Sequence, residues 1–105
     1  MPQSRWPIIT TSISGIGTEI WKQFKATADA RGVSDREAAE EAICELAGSV
    51  ERGEAVVWEP VKAGPPHSVR AHEAVWAEVQ AMVGKTGYRQ NVVILTAFKR
   101  WIAKA

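Results

Sequence analysis

The 105 residues include one cysteine, one tyrosine, two phenylalanines and two methionines. A lone Cys44 excludes an internal disulfide and leaves too few soft ligands for a structural zinc site, which fits a reducing, cytoplasmic setting. No apolar run approaches the roughly 20 residues that cross a bilayer. No charged-then-apolar leader with a small-residue cleavage site is present, so a soluble protein without a membrane partner is expected. Motifs for chemistry are also missing. Gly84-Lys85-Thr86 matches the end of a phosphate-binding loop, but Val79 stands where that loop needs its first glycine. Gly15-Ile16-Gly17 lacks the third glycine and the βαβ setting of a dinucleotide site. His67 and His72 have no cysteine or carboxylate at metal spacing, and Cys44 reads as a helix-packing residue. The expectation is therefore no enzyme, with no catalytic residue, no metal, no cofactor and no small-molecule substrate.

What is present is a globular composition, 46% hydrophobic and 24% charged, in a chain short enough for one domain over residues 1–105. The formal net charge of +1 hides an asymmetry. Residues 1–55 carry six Lys/Arg against nine Asp/Glu, net −3, and residues 56–105 carry seven against three, net +4. A polyanion would be met mainly by the second half, while the acidic first half faces solvent or a protein.

A shift of 55 residues superimposes Trp21 on Trp76, Gly32 on Gly87 and Ala42 on Ala97. Under the same shift Ile20 meets Val75, Phe24 meets Val79, Ile43 meets Phe98 and Leu46 meets Trp101. The pattern predicts two repeats, 8–50 and 66–104, joined by a connection at 51–65 that is rich in proline and glycine. Each repeat reads as a strand, a helix, a glycine break and a second helix. In the first, Ile20, Trp21, Phe24 and Ala28 form a helical stripe closed by Gly32. Ser34 followed three residues later by Glu37 is a capping box that restarts a helix with the stripe Ala39, Ala42, Ile43, Leu46 and Ala47. In the second, Val75, Trp76, Val79 and Val83 precede Gly87, and Ile94, Ala97, Phe98, Trp101 and Ile102 follow it. The small side chains of the first repeat's last helix and the bulky ones of the second's favour mutual packing.

Ahead of the first helix pair, Ile9, Thr11 and Ile13 alternate with Thr10, Ser12 and Ser14, the period-two signature of a half-buried strand. His67-Ser68-Val69-Arg70-Ala71 is a shorter counterpart after Pro65-Pro66. Ala55-Val56-Val57-Trp58 reads either as an additional short strand or as an arm packed on the core. Trp21, Trp76 and Trp101 lie on helix stripes and read as core. Trp6 and Trp58 lie off them, and read either as partner contacts or as cover for the core.

With these features, above all the run from Gly32 to Ile43, the chain resembles the ribbon-helix-helix superfamily, the fold of the Arc and MetJ repressors. Two copies in one chain are similar to the conjugation protein TraY and to the virulence proteins of the VirC operon. The resemblance implies a mainly α fold with a short β-ribbon, made of two fused ribbon-helix-helix repeats forming one pseudo-twofold domain, a monomer with an internal pseudo-dimer. It implies that the ribbon enters the major groove of double-stranded DNA, with Thr10, Ser12, Ser14, Ser68 and Arg70 reading bases. Phosphates would be held at the starts of the second helices and nearby, by Ser34 and Arg36 in one repeat and by Lys85, Arg89, Gln90 and Asn91 in the other. The implied role is that of an accessory factor in plasmid or T-DNA transfer, with a relaxase or other transfer proteins as partners.

Three observations pull the other way. The first strand offers hydroxyls where the family often carries long polar or basic side chains, and Asp35 and Glu37 flank a proposed phosphate site. Taken alone, Thr10, Ser12 and Ser14 are an ordinary solvated strand face. The acidic side Glu37, Glu40, Glu41 and Glu45 supports a protein adaptor that does not bind DNA. Repression of transcription by the same fold is a further alternative.

Overall fold

Alternating side chains make strands where one face can be buried, and 3.6-residue stripes make helices where one side can be buried. The computed structural model, which describes residues 7–104, follows that rule in the order β1 (Ile8–Ile13), α1 (Thr18–Arg31), α2 (Asp35–Glu51), β2 (His67–His72), α3 (Glu73–Thr86) and α4 (Gln90–Ala103). Trp6 lies outside the described residues. The fold is mainly helical, with one two-stranded antiparallel sheet. β1 ends one residue before Ser14, and β2 runs one residue past Ala71.

Local chemistry sets the helix boundaries. Gly32 closes α1 in the left-handed region, at φ 74° and ψ 28°, which a side chain would strain. The amide of Val33 then reaches back to the carbonyl of Ala28 at 3.0 Å. Ser34 starts α2 with both arms of the capping box in place: its hydroxyl accepts from the Glu37 amide, and the Glu37 carboxylate accepts from the Ser34 amide. The Ser34 amide first, and the nearby Ser34 hydroxyl second, hold the Glu37 carboxyl below its ordinary pKa. A carboxylate lowered on folding adds stability above its unfolded pKa and loses it as pH falls through the folded value, so this cap weakens in acid.

One cluster of buried side chains draws on every element, with Ile13, Phe24, Ile43, Val69, Trp76 and Phe98 among its members. At its centre Phe24 stacks on Phe98 with ring centroids 4.0 Å apart, and Trp101 closes on Phe24 at 5.5 Å. α2 packs against α4, α3 and β2, burying Ala38, Ala39, Ala42, Ile43 and Leu46, and α4 buries Val93, Ile94, Leu95, Phe98 and Trp101 in the same core. α1 and α4 are tied further by Arg31, which lies over the Trp101 ring and donates to the carbonyls of Trp101 and Lys104, capping the end of α4.

The stretch Ala55–Trp58 pairs with no strand among the described residues and is an arm. Val56 and Trp58 rest half-buried on the core, and Trp58 stacks on Tyr88 at 4.9 Å. The Glu59 amide donates to the buried Thr96 hydroxyl at 2.9 Å, which satisfies the one polar side chain facing inward from α4 at that level. Trp58 therefore covers the core. Further along, the Lys62 amide donates to Gly15 O at 2.7 Å, and a Cβ on Gly15, at φ 90°, would come within 2.9 Å of Val61. The glycine after β1 thus serves a tight turn under the arm.

Two substitutions test this account in urea denaturation. Phe98→Ala should cost about 3–5 kcal/mol through the cavity it leaves in the central stack. Ser34→Ala should cost about 1 kcal/mol through loss of the cap.

Candidate nucleic-acid interface

β1 and β2 pair in the register Ile8 with His72, Thr10 with Arg70, Ser12 with Ser68 and Ile13 with His67. Partners in an antiparallel pair share a face, so Thr10, Ser12, Ser68 and Arg70 stand together on one side, and all four are exposed. The opposite side carries Thr11, Val69, Ile13 and Ala71, of which Val69, Ile13 and Ala71 are buried. The ribbon is therefore polar outside from Thr10 to Ser12, with the exposed Ile8 at the end of that face, and buried apolar inside at Ile13, Val69 and Ala71. Arg70 has no ion pair and no hydrogen bond among the described residues, which leaves a full guanidinium at the middle of the exposed face. Ser14 sits past the end of β1, exposed but without a cross-strand partner.

The two second helices begin in different electrostatic surroundings. At α2 the capping box occupies two of the backbone donors that a phosphate would use, and Asp35 and Glu37 add negative charge. Asp35 pairs with Lys25 at 3.4 Å. Arg36 is engaged as well: its guanidinium meets Glu40 at 2.8 Å and the His72 ring at 3.3 Å. Glu40 completes this cluster by accepting from the His72 amide at 2.7 Å and contacting its Nδ1 at 2.6 Å, so it pins the end of β2 to α2.

At α4 the first turn has no acidic residue, and the N-cap Arg89, exposed, makes no side-chain cap bond. Gln90 accepts from Gln80 at 2.7 Å. Asn91 is half-buried, with its Oδ1 shielded and unpartnered among the described residues, and its Nδ2 lies near Gly15 at the turn that follows β1. The start of α4 is thus the one suited to an anion, with free backbone donors and a cationic side chain. Lys85, exposed in the last turn of α3, borders a shallow hollow that Glu51 and Glu78 also line, and makes no ion pair among the described residues.

Several pairings that shape this face carry no signal along the chain. Glu40 and His72 are 32 residues apart, and His67 of the second strand stacks on Trp21 of the first helical stripe at 4.7 Å. Among the described residues no group of His, Cys, Asp and Glu is arranged to hold a metal ion, and no helix is long and apolar enough to cross a membrane. Cys44 lies at the surface of α2 with its thiol pKa raised, first by partial burial and then by the charges of Glu78 and Glu40. Its thiolate fraction at neutral pH is correspondingly small. Alkylation by iodoacetamide at pH 8 should therefore run more slowly on Cys44 than on free cysteine, and an equal or faster rate would contradict this electrostatic picture. Comparison with known proteins returns no matching family model, no matching curated protein and no matching solved structure.

Proposed function

We propose that this chain binds double-stranded DNA as two fused ribbon-helix-helix units, related by a pseudo-twofold axis, and inserts the β1–β2 ribbon into the major groove. The observation that carries this reading is the cross-strand pairing of Thr10 with Arg70 and of Ser12 with Ser68 on an exposed, polar face. A major groove about 12 Å wide admits a two-stranded ribbon, and an unpaired arginine flanked by hydroxyls is a donor set suited to guanine O6 and N7. The order strand, helix, helix, strand, helix, helix agrees with the 55-residue internal match and supports the tandem reading.

In this reading the contact is lopsided. Arg70 supplies most of the base discrimination, because serine and threonine hydroxyls accept several base edges. Phosphate anchoring falls to Arg89 and the amides of Gln90 and Asn91 at the start of α4. Ser34 and Arg36 contribute little, since their donors are engaged within the fold. The role follows the resemblance: an accessory factor in DNA transfer that marks a duplex site for a relaxase-type assembly.

The test is titration of fluorescent duplexes, random and native, at two salt concentrations. Salt-sensitive binding that prefers a native fragment is expected, and no binding to any duplex at low salt would end the proposal. Arg70→Ala should cost about 1–3 kcal/mol at one cognate base pair and relax the preference there. Arg89→Ala should weaken all duplexes alike and lower the salt slope by about 1.

A further inference from the structure

Beside the ribbon, between β2, the start of α2 and the side of α1 that carries Trp21, the surface sinks into a hollow of about 710 Å3. Its volume lies in the range of sites for small organic molecules, roughly 300–1,000 Å3. One wall is aromatic: Trp21, half-buried, stacks on His67 at 4.7 Å with only 16° between the rings, and Phe24 and Phe98 lie behind it. The rim is basic, with Lys25, Arg36 and Arg70 against the single carboxylate of Asp35.

Two of the three cations are already answered, Lys25 by Asp35 at 3.4 Å and Arg36 by Glu40 at 2.8 Å. Arg70 is not answered by any described residue. On the aromatic wall, His67 Nε2 is shielded from solvent and has no hydrogen-bond partner among the described residues.

We propose that this hollow is a binding site for a small planar organic anion, with its ring against the Trp21–His67 wall and its carboxylate, sulfonate or phosphate on Arg70. Both halves of that description are required by the lining. A bare inorganic ion would use the rim and leave the aromatic wall uncovered. A neutral aromatic would leave Arg70 unanswered. Because Ser68 and Arg70 also stand on the outer face of the ribbon, the occupant and a duplex compete for the same guanidinium. This competition, unlike the site itself, rests on the DNA-binding reading.

The full chain is titrated with 8-anilinonaphthalene-1-sulfonate, an aromatic anion whose fluorescence reports binding. N-phenyl-1-naphthylamine, which has the same rings without the sulfonate, is the neutral control. Saturable binding at one site is expected, weakened about tenfold or more by Arg70→Ala and largely kept by Arg70→Lys, with the neutral probe weaker and indifferent to both changes. Arg70 is exposed and unpaired, so circular dichroism of the variants should match the parent. In amide and indole NMR spectra the shifts should centre on Trp21 and His67. Unchanged affinity after Arg70→Ala, equal affinity for the neutral probe, or shifts centred on the exposed apolar Val57, Val61 and Tyr88 would overturn the site. Excess duplex should displace the anionic probe. A duplex that binds without displacing it removes the competition and leaves the site standing. If no duplex binds at all, the DNA reading fails, and the two probes judge the site by themselves.

Discussion

Two strands more than fifty residues apart in the chain make the ribbon, and among the described residues each has no other neighbour in the sheet. An isolated two-stranded ribbon is marginal in water, so this one exists because a helical platform buries its inner face. Ile13, Val69 and Ala71 enter the same cluster as Phe24, Phe98 and Trp76. The Trp76 indole N–H donates to Ile9 O at 3.0 Å, the Glu73 amide donates to Pro7 O at 2.9 Å, and Glu40 holds His72. The outer face is freed for polar side chains because the helices take the whole burden of burial. A site of this kind can vary its outward residues with little effect on stability.

The starts of the two second helices differ in charge and in their free donors. The start of α2 spends a serine and a glutamate on its own cap and is closed to anions, whereas the start of α4 leaves its amides open beside Arg89. Arg36, a plausible phosphate ligand by position, is drawn into the Glu40–His72 cluster that fixes strand to helix. Among the described cations left without an ion pair is Arg70, the guanidinium on which both the proposed groove contact and the proposed anion site converge.

Much of the architecture was legible along the chain because it is governed by short-range rules. The capping box at Ser34 and Glu37, the glycine stops at Gly32 and Gly87, and the apolar stripes through Trp21, Trp76 and Trp101 each depend on neighbours within about four residues. The boundary at Ser14 was less legible, since the alternation of residue types continues past the point where Gly15 turns the chain beneath Val61. Between a strand and an arm at Ala55–Trp58 the composition could not decide, because an extended apolar run suits either, and only the availability of a pairing edge tells them apart.

From the amino-acid order alone came the helices, their stops, the two strands, the apolar stripes and the excess of positive charge in the second half, whereas the buried Ile16, Val93 and Leu95 lie outside those stripes and Trp21 is only half-buried. The tertiary structure decided which outward residues stand opposite one another, which cations are spent on internal partners and which are left over. The capping of α4 by Arg31, the clasp of Glu40 on His72 and the hollow walled by Trp21 and His67 belong to the same class. The division has one physical cause. Hydrogen-bonding and hydrophobic periods are written into neighbouring residues, whereas the pairing of a charge depends on which distant side chain the packed core brings within reach.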